Sequence, residues 1–354
     1  MVRKRTLLFC YYDLNLGDDL FIRLTMDYLG KSNVDLLVPD GTDEFYYQNY
    51  SVKTYSKLAR RIDRISYKLI GECPCLSKIA SKYDQVAVVG GSMFIQKEGW
   101  EASLRMYQML ERAATNFFII GSNFGPYKDN RFLDSYRNLF EKSKFVTFRD
   151  TFSKQIVGGL NSQVYPDMIF NQKSSMKSEN TGKKVLGVSV IDLEDRNYST
   201  LVKQQYLKSI VEICKLFQSK GCEIRLFAFC ENQGDLKACT VIKEQINNAI
   251  ICKYDGAIDK FLGLFEECSY IVASRFHAMI LGWNFGIPTL PIIYSDKALN
   301  VINDLNQEIK FWKIENITSD INKNDFSVLN DLIEIKKLAK GHLKVLKCDE
   351  TIEE

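Results

Sequence analysis

Proline and histidine are scarce in this chain of 354 residues, with six of the former and two of the latter beside 20 glycines. So little proline and glycine excludes a collagen-like or low-complexity chain. No apolar run approaches the ~20 residues that a membrane-spanning helix needs, and no repeat at solenoid periods is present. A dominant charge is missing too: 47 Lys and Arg against 44 Asp and Glu leave +3, too little for a surface that grips nucleic acid throughout. Any anion binding has to be local. Neither the GxGxxG turn nor the GxxxxGK[ST] loop occurs, so dinucleotide and P-loop nucleotide binding lack their fingerprints. HxH, HExxH and aspartate-rich motifs are also missing, and the ten cysteines form no CxxC pair. Cys73 and Cys75 around Pro74 lack zinc-ligand spacing. No metal site is expected, and buried reduced thiols in a cytoplasmic protein fit best.

What is present is an alternation. Val2 to Tyr12 opens with charges as a signal peptide does, but its apolar part ends at Asp13 without a small-residue cleavage site, and it reads as a first strand. Strand patterns follow at Val34 to Val38, Gln85 to Val89, Phe117 to Ile120 and Phe145 to Phe148. They resume at Val185 to Val190, Glu223 to Phe229, Ala249 to Cys252, Tyr270 to Ala273 and Thr289 to Ile293, with amphipathic segments between most of them. This is the signature of parallel βαβ units and predicts an α/β fold with two similar halves. The polar run NQKSSMKSENTGKK cannot bury a core face. The expected division is therefore residues 1–172, a linker at 173–184, and residues 185–354. An amphipathic stretch from Asp325 to Leu346 either caps its own domain or crosses back to the first.

In open parallel sheets ligands gather at the carboxyl ends of strands, where helix N-termini attract anions. After the first strand, Asn15-Leu-Gly17-Asp18 offers a glycine for close backbone approach and an aspartate able to cap the next helix. The third strand ends in Gly90-Gly91-Ser92 and the fourth in Gly121-Ser-Asn123-Phe-Gly125, which expose amides with little steric cover. In the second half an apolar strand runs into Ser274-Arg275-Phe276-His277 and then an apolar helix. Two potentially cationic side chains in a first turn oppose the macrodipole unless an anion joins them. Arg149 also follows directly on a strand and offers a planar fork for a carboxylate or phosphate. From Lys53 to Lys68 the cations Lys53, Lys57, Arg60, Arg61, Arg64 and Lys68 face one acid, Asp63, beside the stripe Leu58, Ile62, Ile65 and Leu69. A basic amphipathic helix of this kind suits an anionic acceptor or membrane surface, or is merely a solvated face.

The ordered set Asn15-Leu-Gly-Asp18, Val89-Gly-Gly-Ser92, Arg149-Asp-Thr-Phe-Ser153, Pro166-Asp167 and Ser274-Arg-Phe-His277 resembles the polysaccharide pyruvyl transferase family, from about Leu7 to about Leu305. The loop after Val89 has two glycines where many members show three. The resemblance implies two facing Rossmann-like domains with parallel sheets, similar in architecture to glycosyltransferases of the B type. It implies transfer of the pyruvyl group of phosphoenolpyruvate to saccharide hydroxyls as a ketal, with no cofactor beyond that co-substrate. Arg275 and His277 would be catalytic, and Arg149, Ser274, Arg275 and His277 would bind the donor. Asn15, Gly17, Asp18, Gly90, Gly91, Ser92 and Asn123 would line the acceptor side, assigned to the N-terminal domain. The acceptor would be a saccharide, free or lipid-linked, and the protein cytoplasmic, with peripheral contact to an anionic membrane as an option. A glycosyltransferase using a nucleotide sugar, or a non-catalytic saccharide-binding protein of the same fold, are the rival expectations.

Overall fold

The computed structural model describes residues 4–174, 183–194 and 196–347. Most of the polar run expected as a linker, and Cys348, lie outside the described residues.

Among the described residues the first sheet contains β1 (Thr6–Phe9), β2 (Val34–Pro39), β3 (Val52–Tyr55), β4 (Gln85–Val89), β5 (Phe117–Ser122), β6 (Phe145–Phe148) and β7 (Ser162–Val164). Their spatial order is β3-β2-β1-β4-β5-β6-β7, and every pairing is parallel. The second sheet contains β8 (Val185–Ser189), β9 (Glu223–Ala228), β10 (Ile250–Lys253), β11 (Tyr270–Ala273), β12 (Thr289–Ile293) and β13 (Trp312–Lys313), in the order β10-β9-β8-β11-β12-β13 and again parallel. Central strands such as QVAVV and FFIIGS are buried at every position. A parallel sheet covered on both faces needs such continuous apolar runs, not alternation.

Two compact units result. Unit 1 takes Met1–Tyr12, Phe21–Met168 and Lys337–Glu354, and unit 2 takes Asp13–Leu20 and Ile169–Lys336. The core of unit 1 is rich in rings, with Phe94, Phe124, Phe132, Tyr136 and Phe140 in edge and tilted contacts. That of unit 2 is mostly aliphatic, built on Leu186, Val188, Leu226, Val272 and Leu290. The amphipathic stretch from Asp325 to Leu346 is divided among several elements. Ser327 pairs with Thr289 in a backbone bridge, and the helices Leu332–Ala339 and Gly341–Lys344 follow.

The nine described cysteines are all free, and only Cys75 is not fully buried. No helix among the described residues is long and apolar enough to cross a membrane.

Candidate functional site

In each sheet the strand order turns around one strand: β1 lies between β2 and β4, and β8 between β9 and β11. The crevice at such a switch point is the usual ligand site of an open α/β sheet. In unit 2 the loop after β11 supplies Ser274 and Arg275 and leads into the helix Phe276–Asn284. Two hydrogen bonds fix this turn onto the end of β8: the Ser274 amide donates to the Ser189 carbonyl, and the Arg275 amide to Ser189 Oγ, both at 3.0 Å. The Tyr206 hydroxyl donates to Ser274 Oγ at 2.8 Å, so Ser274 is buried and already engaged.

Arg275 is the N-cap of that helix, with extended backbone and no side-chain cap. Its guanidinium lies on Asp235, with Nε donating to both carboxylate oxygens at 3.0 and 2.9 Å and Nη2 donating to Oδ1, while Nη1 donates to Gln233 Oε1. Asp235 is fully buried and also accepts the Phe229 and Cys230 amides, each at 3.1 Å. Burial pushes the Asp235 carboxyl up, and Arg275 with these amides works against that rise. The anion demanded by two cationic residues at a helix start is therefore, in this structure, an internal carboxylate. Asp235 stands 40 residues from Arg275, and nothing in its local sequence points to the pairing.

His277 lies in the first turn of the same helix and is half-buried. Its ring fills the space where Gly17 has no side chain. A Cβ built on Gly17 would stand 2.7 Å from His277 Cγ, and nearer still to Nδ1 and Cε1. Gly17 is held there by its own segment. Asn15 Oδ1 accepts the Gly17 amide at 3.0 Å, the Leu16 amide donates to the Phe229 carbonyl at 3.2 Å, and the Tyr254 hydroxyl donates to buried Asp19 at 2.7 Å. Asn15, not Asp18, thus supplies the side-chain bond at the start of the helix Leu16–Leu29, and Asp18 falls inside its first turn. The helix begins earlier than expected because an asparagine is as good a cap as an aspartate.

Sequence reasoning missed two cations beside this turn, Arg196 and Lys297. Arg196 stacks over the Tyr294 ring with its guanidinium carbon 4.4 Å from the centroid. Burial would push the Tyr294 phenol up, yet Lys297, Arg275 and Arg196 together draw it below its ordinary value. Tyr294 and Ser295 line a small pocket with Ser274, Arg275 and Phe276. With Arg275 already met by Asp235, Arg196 and Lys297 are the cations beside this turn suited to a small anion. They are dispersed in sequence, so no motif announces them.

Unit 1 has its own cluster at the ends of β4, β5 and β6. Arg149 is buried, with Nη1 donating to Asp167 at 2.9 Å and Nη2 donating to Asn123 Oδ1 at 2.6 Å and Ser92 Oγ at 3.1 Å. Gly91 makes room for it, since a Cβ there would stand 2.7 Å from Arg149 Cζ. Asp150 caps the next helix through the Ser153 amide and hydroxyl. Behind the cluster is His342, fully buried, with Nε2 3.0 Å from the Pro166 carbonyl and Nδ1 2.8 Å from Thr147 Oγ1. The carbonyl can only accept, so Nε2 carries the proton. Burial lowers this imidazole to about 3, which keeps it neutral. His342 holds the Pro166–Asp167 turn, a role the sequence did not disclose.

The expected residues therefore fall into two sets. Gly90, Gly91, Ser92, Asn123 and Arg149 meet in unit 1, while Ser274, Arg275 and His277 meet in unit 2, joined there by Asn15, Gly17 and Asp18. Among the described residues no group of three or more His, Cys, Asp or Glu side chains could hold a metal ion.

Comparison with solved structures finds the same fold at low identity. UDP-GlcNAc 2-epimerase from Neisseria meningitidis, bound to UDP-GlcNAc, matches with a TM-score of 0.59 at 10% identity over 97% of this chain and 99% of its own. HepE from Anabaena, in complex with UDP and glucose, matches with a TM-score of 0.56 at 11% identity over 97% and 94%. The fold is thus that of the glycosyltransferase B type, with two parallel-sheet α/β units. The amylovoran biosynthesis protein AmsJ of Erwinia amylovora is 23% identical over 255 residues, which are 63% of this chain and 60% of that protein. The chain thus spans less than two thirds of the curated relative it matches. The sequence model of polysaccharide pyruvyl transferases matches residues 15–296, from the Asn15 cap through the Arg275 and His277 turn to just past Tyr294. With most of its length inside that match, the chain belongs to the polysaccharide pyruvyl transferase family.

Proposed function

We propose that this protein transfers the pyruvyl group of phosphoenolpyruvate to two hydroxyls of a saccharide, forming a ketal, in the biosynthesis of a surface polysaccharide. The observation that carries the reading is the His277 ring seated against Gly17 in the first turn of the helix Phe276–Asn284. Family membership supports the reaction class, and the name of AmsJ supports the setting.

The donor has a carboxylate and a phosphate. Backbone amides at a helix start suit such anions, and Arg196 and Lys297 supply the countercharge. Arg275 keeps its carboxylate partner and acts as a rigid, fully charged edge of the site: burial disfavours its cation, and Asp235 more than offsets this. His277, half-buried in the first turn of that helix, is the general acid. It gives a proton to the methylene carbon, and the adjacent carbon takes oxocarbenium character and is attacked by a first hydroxyl. A second hydroxyl then displaces phosphate. One hydroxyl proton restores His277 and the other leaves with phosphate, so the reaction balances without a redox partner or further cofactor.

The cluster of Gly90, Gly91, Ser92 and Asn123 is proposed to meet the saccharide. Arg149 is its positioning residue, because its guanidinium holds Ser92 and Asn123 in place; direct contact with the donor would require it to exchange one of them.

The test is a thermal-shift comparison of phosphoenolpyruvate, UDP and GDP, followed by phosphate release and transfer in deuterated water. Stabilisation by phosphoenolpyruvate and deuterium in the pyruvyl methyl group are expected. Stabilisation by UDP or GDP alone, with nucleotide release from a sugar nucleotide, would replace this reading with that of a glycosyltransferase. Saccharide binding without turnover of any donor would leave a non-catalytic role.

A further inference from the structure

The helix Lys57–Ile70, KLARRIDRISYKLI, faces the wrong way for a surface helix. At about 100° per residue, Leu58, Ile62, Ile65 and Leu69 fall within an arc of about 60°. An ordinary amphipathic helix turns such an arc to the core. Here these side chains are 68, 44, 51 and 75% exposed. Lys57, Arg61, Arg64 and Lys68 occupy a neighbouring arc of about the same width. The side held by the protein is instead the one carrying Asp63, the helix's only acid, which is fully buried. Its carboxylate accepts the Cys75 amide at 2.8 Å, the Leu76 amide at 2.7 Å and the Tyr55 hydroxyl at 2.7 Å. It thereby caps the helix Pro74–Ala80. A polar clamp thus fixes the roll of the helix, points the apolar arc outward and withdraws the one negative charge from the surface. The ends are set as well: Ser56 Oγ accepts the Ala59 amide at 3.2 Å, and Gly71 closes the helix at φ 73°. The element is preformed and needs no partner to fold.

We propose that this helix lies in the headgroup region of an anionic lipid bilayer, with Leu58, Ile62, Ile65 and Leu69 inserted and the flanking cations against lipid phosphates. Charge complementarity selects this occupant. Protein interfaces are depleted in lysine at their cores, whereas an apolar strip edged on one side by cations alone suits a negatively charged interface. The inference is independent of the reaction proposed above, because no residue of either strand-end cluster takes part.

The test is sedimentation of the full chain with phosphatidylcholine vesicles, with and without phosphatidylglycerol. Binding should require the anionic lipid and weaken steeply with salt. Reversal of Arg61, Arg64 and Lys68 to Glu should weaken it at least roughly 100-fold, and Ile62→Ser with Leu69→Ser at least roughly tenfold. Unchanged thermal unfolding would show that both variants fold, and Leu69→Ser alone serves if the double variant does not. Equal binding to neutral vesicles, or none at low ionic strength, would overturn the proposal. So would a dimer seen by light scattering that the Ile62→Ser, Leu69→Ser variant dissolves, since a second copy would then cover the face.

Discussion

Gly17→Ala separates the stability of this protein from its chemistry. Gly17 sits in the first turn of the helix Leu16–Leu29 without a positive φ, so the backbone accepts alanine, and helix propensity favours the change by up to about 1 kcal/mol. Against this stands the His277 ring, whose Cγ would be 2.7 Å from the new methyl carbon. Nδ1 and Cε1 would come nearer still, and ordinary contacts lie near 3.5 to 4.0 Å, so the ring has to withdraw by about 2 Å or swing to another rotamer, and a strained rotamer costs about 1 kcal/mol. The two effects roughly cancel, and urea unfolding should change by less than about 1 kcal/mol. Turnover should not escape. Misplacing a catalytic group by about 1 Å is worth around 10²-fold, and losing general acid catalysis altogether is worth ~10²- to 10⁴-fold. The assay is phosphate release from phosphoenolpyruvate, read beside the imidazole nitrogen resonances of histidine-labelled protein. With two histidines in the chain, the His277 signal should move and the His342 signal should stay. Near-normal turnover, or an unmoved His277 resonance, would refute the reasoning.

His277→Gln should cut turnover by ~10²- to 10⁴-fold and slow deuterium entry into the pyruvyl methyl group, while phosphoenolpyruvate still stabilises the protein. Asp167→Ala leaves the Arg149 guanidinium buried without its carboxylate, both side chains being at most 1% exposed, and should cost about 3–5 kcal/mol in urea unfolding; a loss under about 1 kcal/mol would mean that water reaches the pair. His342 is held near 3 by burial, below its unfolded value near 6.5, so it keeps full stability above about pH 6.5 and loses it as pH falls toward 3. Between pH 6 and 5 the wild type should lose about 1 kcal/mol more than His342→Gln does, and parallel curves would contradict this. Activity should survive dialysis against a chelator; complete loss, restored by magnesium or manganese, would show a metal requirement.

The central strands were plain in the sequence because both faces of a parallel sheet are buried and their residues leave no doubt: β4, β5 and β8 are apolar or small almost throughout. The strands it concealed are the outermost ones. β3 reads VKTY with its middle exposed, β7 has three residues and β13 two. An edge strand has less to bury, so its pattern fades into the loops around it. The site was legible where chemistry is local, as in Ser274 to His277, and illegible where it is assembled across distance. Asp235, His342, Arg196 and Lys297 carry no signal of their own. Their roles arise only once β9, β12 and the last short helix bring them to Arg275, Pro166 and each other. The basic helix was legible as an amphipath, but its outward roll was not, because the Asp63 clamp joins it to the next helix.

The buried thiols give this chain an internal clock. Burial lifts Cys214 to about 12 and Cys230 and Cys252 to about 11, so thiolate is scarce near neutral pH even before access is considered. An alkylating reagent can react only with a thiolate it can reach, and each buried cysteine is therefore silent until its surroundings open. Cys10 and Cys73 keep time for unit 1, and Cys214, Cys222, Cys230, Cys239, Cys252 and Cys268 for unit 2. Pulsed alkylation followed by peptide mass analysis would then read the opening of each unit separately, from native probes that need no engineered label.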